Sequence, residues 1–177
     1  FMTREHEPIQ ETPPTEWHPP VSFKDIKNDP AVRSMITHAD KSLEVLGYTE
    51  HGFRHVGLVG RWAKEILEQL GYEKRICFLA EVSGFLHDTG NLVSRPYHYL
   101  ASAFFVHQAM GRWGFNYDDT YTVMGAVANH DEKEGNPASP VAAALILADK
   151  ADVHKSRVRN LKEIEHDIHA RVNWAVK

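Results

Sequence analysis

Residues 29–47, DPAVRSMITHADKSLEVLG, carry the pattern that decides the fold. Val32, Met35, Ile36, Ala39, Leu43 and Leu46 recur at spacings of three and four, which places them on one face of an α-helix. Asp29-Pro30 supplies a cap and a first-turn proline, and Gly47 supplies the stop. The same grammar extends in both directions. Ser22 with Asp25 predicts a capped short turn before this helix. After it, helices are predicted over about 50–70, stopped by Gly71, then 73–86, then 97–113, ended by Gly114. Asp118 or Asp119 is expected to cap a further helix reaching about His130. Ser139-Pro140 opens another, and the last covers about 161–176. No stretch alternates with period two between turn signals, so the fold class is all-α, a bundle of about six to seven helices. Ile164, Ile168 and Val172 remain in helical phase up to Lys177, with no cap or terminating Gly, so a truncated or a naturally short form is expected.

The chain has 177 residues, 42% of them hydrophobic and 25% charged, which favours one globular domain over residues 23–177. Residues 1–22, with "HEPIQETPPTEWHPP", form a Pro-rich opening read as extended or disordered. The net charge is −4, so no global basic field argues for nucleic acid or an anionic membrane. Lys150, Lys155, Arg157, Arg159 and Lys162 make a local basic cluster able to steer an anion. The single cysteine, Cys77, excludes an internal disulfide and fits a reducing compartment. With no membrane-length apolar run and no apolar signal core, a cytoplasmic location is expected.

Twelve histidines are the compositional oddity. At 100° per residue, His55 shares a face with Val59, Trp62 and Ile66, and His87 with Ser83, Ala80 and Ile76. Asp149 shares one with Leu145, Ala142 and Ile146. Taken singly, an inward histidine reads as a hydrogen-bonded core residue and an inward aspartate as a cap or ion-pair partner. Taken together with Asp88, they could supply two imidazoles and two carboxylates to one point. A lone ionised carboxylate on an apolar face costs several kcal/mol unless paired or metal-bound. Divalent ions of hard to borderline character want such a mixed N/O set.

The ordered set His55 … His87-Asp88 … Asp149 resembles the HD superfamily of metal-dependent phosphohydrolases. The local contexts "GFRHVGLVGRWA", "GFLHDTGN" and "ALILADKADVHKSRVR" resemble that superfamily as well, over about residues 23–177. The resemblance implies an HD-type helical bundle with those four residues as metal ligands. Adjacent helical residues diverge by about 100°, so His87 can serve one ion while Asp88 bridges to a second. Some HD proteins add two histidines for that second ion. "RPYHYLASAFF" and "GAVANHDEKEG" resemble those segments and assign the roles to His98 and His130. His107 competes with His98 from the opposite helix face; His98 is preferred because its face carries the small residues Ser102 and Ala109. The implied cofactors are two divalent ions, of iron, manganese or another transition metal, with magnesium also admitted.

The implied reaction is hydrolysis of a phosphate ester or anhydride on a small anionic metabolite such as a nucleotide, a dinucleoside polyphosphate included. Coordination lowers the pKa of water from about 15.7 towards about 7, giving hydroxide at neutral pH between ions bridged by Asp88. Lys150 and Arg157 are the candidates to neutralise the phosphoryl oxygens, with Arg54 the weaker choice. Asp152 is expected to orient a histidine or an arginine. His51, one turn before His55, is read as capping the helix start and facing water. Where many HD proteins carry a hydrophobic residue, Gly and Lys after the doublet, this chain has Thr89-Gly90-Asn91, which removes a lysine contact at position 91. Asn129 before His130 and "EGNP" in place of a Gly-Tyr-Pro signature argue against cyclic-di-GMP. The same ligands in a di-iron oxygenase, or in a non-catalytic metal- or nucleotide-binding module, are the rival readings, and a homo-oligomer is left open.

Overall fold

The computed structural model describes residues 16–131, 134–159 and 168–176. Among these residues there are eight α-helices and no strand. They are α1 (Phe23–Asn28), α2 (Pro30–Val45), α3 (Phe53–Gln69), α4 (Lys74–Leu86), α5 (His98–Arg112), α6 (Tyr117–Ala128), α7 (Pro140–Ala151) and α8 (Ile168–Ala175). Two short 3₁₀ turns, Thr89–Leu92 and Lys155–Arg157, follow α4 and α7. None of these helices is long and apolar enough to cross a membrane.

Local chemistry accounts for the boundaries. Ser22 and Asp25 form the reciprocal capping box of α1, and the Asp29 carboxylate accepts the first amides of α2 before Pro30. Gly47, Gly71 and Gly114 end α2, α3 and α5 with φ of 80°, 77° and 82°. The cap of α6 is Asn116, whose side chain accepts the Asp119 amide, and not Asp118 or Asp119. Asp119 is instead buried against the Arg75 guanidinium at 2.6 Å. The third helix starts at Phe53 rather than near residue 50, because the His51 amide is taken by the Asp40 carboxylate at 2.8 Å. That bond folds residues 48–52 back on α2. Of the predicted last helix, residues 161–167, Lys162 among them, lie outside the described set, as do residues 1–15 of the Pro-rich opening. Trp17, beyond those fifteen, packs its ring 5.6 Å from Phe78.

Helix α4 is the centre of the core. Leu79, Ala80, Val82, Phe85 and Leu86 are fully buried against α3, α6 and α7. Each large apolar side chain buried there contributes about 1.5–3 kcal/mol. The α3–α4 crossing is set by two glycines. A Cβ on Gly84 would lie 2.5 Å from the Gly60 Cα, and one on Gly60 would lie 2.7 Å from the Glu81 carbonyl oxygen. Only backbone without side chains fits at that spacing. A second close approach joins the turn after α4 to the start of α5: a Cβ on Gly90 would lie 2.0 Å from the His98 carbonyl oxygen. The Gly90 amide donates to the buried Ser102 hydroxyl at 2.7 Å. These two contacts bring the ends of α3 and α4, and the beginning of α5, to one place.

Candidate metal centre

That place holds His55 from α3, His87 and Asp88 from the end of α4, His98 from α5, His130 just after α6 and Asp149 from α7. His55 is 0% and His87 1% exposed, and Asp88, His98 and His130 are also buried. The Asp149 side chain, at 17%, is the most open of the six. The six residues named by the sequence therefore converge, although the first and last, His55 and Asp149, stand far apart in the chain.

Hydrogen bonds fix which nitrogen of each imidazole faces the cluster. The Nδ1–H of His87 donates to the Gly84 carbonyl at 2.8 Å, that of His98 to Arg95 at 3.0 Å and that of His130 to Val127 at 2.7 Å. His55 Nδ1–H donates to the Asp152 carboxylate at 2.7 Å. All four Nε2 atoms are thereby turned inward. His98 Nε2 and His130 Nε2 face one another at 3.1 Å, and with both Nδ1 protons committed to backbone they present opposed lone pairs. His55 Nε2 and His87 Nε2 are buried with no hydrogen-bond partner. Carboxylate oxygens lie nearby, but not in hydrogen-bonding geometry.

The two oxygens of Asp88 divide between the histidine pairs. Its Oδ2 lies 3.2 Å from His87 Nε2 and 3.6 Å from His55 Nε2, whereas its Oδ1 lies 3.4 Å from His98 Nε2 and 3.9 Å from His130 Nε2. Asp149 Oδ1 completes the first pair at 3.3 Å from His55 and 3.6 Å from His87. Donor atoms about 2.1 Å from a common ion stand about 3.0 Å apart in an octahedron and about 3.4 Å apart in a tetrahedron. The observed spacings fall in or slightly beyond that range. His55, His87 and Asp149 form one group that could hold a metal ion, and His87, Asp88 and His130 form an overlapping one.

Charge is distributed unevenly. Burial opposes protonation of His55, but Asp149, Asp152 and Asp88 override it and raise its pKa to about 9. His87 is likewise opposed by burial and raised by Asp88 and Asp149 to about 10. Burial alone would raise the two carboxyls; the same histidines hold Asp88 and Asp149 well below the ordinary carboxylate range. At the other end, burial lowers His98, and burial with the neighbouring His87 lowers His130 to about 4. Without an ion, one pair carries protons and the other carries lone pairs.

The surrounding residues orient this set. Asp152 accepts from His55 and receives a two-pronged bond from Arg54, at 3.1 and 2.9 Å, so it orients both a histidine and an arginine. Arg157 is buried; it donates to the backbone carbonyls of Asp152 and Glu50 at 2.8 and 3.1 Å. Lys150 is exposed, with Nζ 3.5 Å from Asp149 Oδ2. His107 is exposed and stacks on Tyr121, away from the cluster face of α5. His51 differs from the expected water-facing cap: Gly52 is the N-cap of α3, and His51 is partly buried. Its ring packs 5.2 Å from His55 and Nδ1 is 2.6 Å from the Thr49 carbonyl. Burial pushes its pKa well down. Two residues had no role in the sequence reading. Asn91 donates to Asp88 Oδ1 at 2.9 Å, and its own Oδ1 accepts from Arg95 at 3.2 Å.

No family model, curated protein or solved structure matches this chain. The described residues fold without strands and gather a buried His/Asp cluster that could hold metal ions.

Proposed function

We propose that this chain is a metal-dependent phosphohydrolase of the HD type, acting on a phosphate ester or anhydride of a nucleotide or similar small anionic metabolite. The observation that carries the reading is the division of Asp88: one oxygen toward His55 and His87, the other toward His98 and His130. In this reading His55, His87 and Asp149 would hold one ion, His98 and His130 would hold a second, and Asp88 would serve both. Iron, manganese or another transition metal suits this donor set. Such ions, when bound, polarise a phosphoryl group and acidify water.

The protein's own contribution is orientation. Asp152 keeps the proton of His55 on Nδ1 and so leaves Nε2 as the donor atom. Against its burial, His55, Arg54 and Arg157 keep Asp152 ionised and in place. Asn91 fixes the Oδ1 of Asp88 on the His98 side. Lys150, beside Asp149, adds positive charge at the open edge of the cluster.

The test is hydrolysis of bis-p-nitrophenyl phosphate and of a panel of nucleotides by manganese-loaded protein with air excluded, beside the Asp88→Asn variant. Turnover that Asp88→Asn abolishes, together with a lowered metal content, supports the reading. Full activity in that variant would end it. Oxygen consumption by iron-loaded protein with no phosphate release would favour the oxygenase instead.

A further inference from the structure

Arg95 is a charge held in place with no carboxylate among the described residues at ion-pair distance. The other partly buried arginines, Arg75 and Arg159, pair with Asp119 and Asp40, and buried Arg157 and exposed Arg54 both face Asp152. Arg95 is also partly buried, yet among the described residues no carboxylate lies within ion-pair distance of it. Its position is nonetheless built. Nη1 donates to Asn91 Oδ1 at 3.2 Å, and the guanidinium lies over the Tyr48 ring at 5.5 Å from its centroid. The same Nη1 lies 3.5 Å from His98 Nε2, at the long limit of a hydrogen bond. The group is also within electrostatic reach of His51 and His98.

Burying part of a guanidinium without a counter-charge is costly, so fixed arginines are normally paired. Here the fixing groups are neutral: an amide oxygen, a phenol ring and an imidazole. They hold the planar fork without consuming its charge. A guanidinium presented in this way matches the oxygens of a phosphoryl group, which it can take two at a time. A metal ion on His98 Nε2 would claim that lone pair, leaving Nη1 free of its weakest contact.

We propose that Arg95, braced by Asn91 and Tyr48, is the anion-binding residue of the site and receives a phosphoryl group on the His98 side of the cluster. This rests on the metal-centre reading above for its ligand class, but not for its test. Arg95 would also couple the anion to the centre, because Asn91 bonds both Arg95 and Asp88.

The experiment is calorimetric titration of inorganic phosphate into wild-type, Arg95→Gln and Arg95→Lys proteins, each titrated metal-free and manganese-loaded, with manganese content measured beforehand. The expected result is unchanged manganese content, phosphate binding weakened roughly ten- to hundredfold in Arg95→Gln, and partial recovery in Arg95→Lys. Wild-type phosphate affinity in Arg95→Gln with manganese intact would overturn the proposal and leave the metal centre standing. Loss of manganese in both Arg95 variants would also overturn it, making Arg95 a brace for Asp88. If the wild type takes up no manganese, the centre reading fails, and the metal-free titrations still decide whether Arg95 binds phosphate.

Discussion

Gly84→Ala tests the crossing that brings His55 and His87 together. The new Cβ would sit 2.5 Å from the Gly60 Cα and 2.6 Å from its nitrogen, against the 3.4 Å at which ordinary contact begins. The opposing atoms are backbone, so α3 and α4 must separate by most of an ångström. Overpacking of this kind costs about 3 kcal/mol at the upper end of its usual range. Alanine recovers up to about 1 kcal/mol by its better helix propensity. The net loss is then about 2 kcal/mol, and for a chain of this size that lowers Tm by about 4–8 °C. Gly57, in the interior of α3, supplies the internal control, because a Cβ there meets nothing within 4 Å. Gly57→Ala keeps only the propensity gain and should raise Tm by about 2–4 °C. Thermal unfolding of both variants, followed by circular dichroism on metal-free protein, reads the contrast. Two shifts of the same sign would refute the close crossing.

Asp152→Asn should weaken metal binding about 10- to 100-fold in a chelator competition, since the amide can present its N–H to His55 Nδ1 and disturb the inward Nε2; wild-type affinity would contradict that role. His98→Ala should lose about one metal equivalent and His107→Ala none, and a swap of those results would misassign α5. For the metal-free protein, stability against pH follows from the histidines. His55 and His87 are raised, so their contribution is complete below about 6.5 and is lost as pH rises through about 9 and about 10. His130 is lowered to about 4, so the unfolded chain takes up a proton first as pH falls below about 6.5, and stability drops towards about 4. Urea midpoints should peak near pH 6.5, and bound metal should remove the alkaline decline by replacing those protons. A midpoint still rising between pH 7 and 10 in metal-free protein would contradict the assignment.

Much of the fold was legible because its signals are local. Asp29-Pro30, Gly47, Ser139-Pro140 and Gly114 mark boundaries through caps and left-handed stops that need no tertiary partner. The start of α3 was misplaced for the opposite reason: the bond that fixes it comes from Asp40, eleven residues away. Asn116 outcompeted Asp118 and Asp119 as a cap because Asp119 is drawn into a buried pair with Arg75. The inward-facing His55, His87 and Asp149 could be read from helical phase, since an apolar face names its own polar exceptions. Phase also separated His98 from His107. Helical phase is silent on loop residues, and Asn91 and Arg95 lie in the turn between α4 and α5. Their roles arise from Gly90 packing against α5, a contact between elements.

The most direct measurement is metal content per chain by elemental analysis, on protein purified without chelator or added metal and with air excluded. A centre bridged by Asp88 predicts about two equivalents of transition metal, falling below one in Asp88→Asn. Less than one equivalent in the wild type, unchanged after incubation with manganese or ferrous iron, would contradict a metal centre at these six residues.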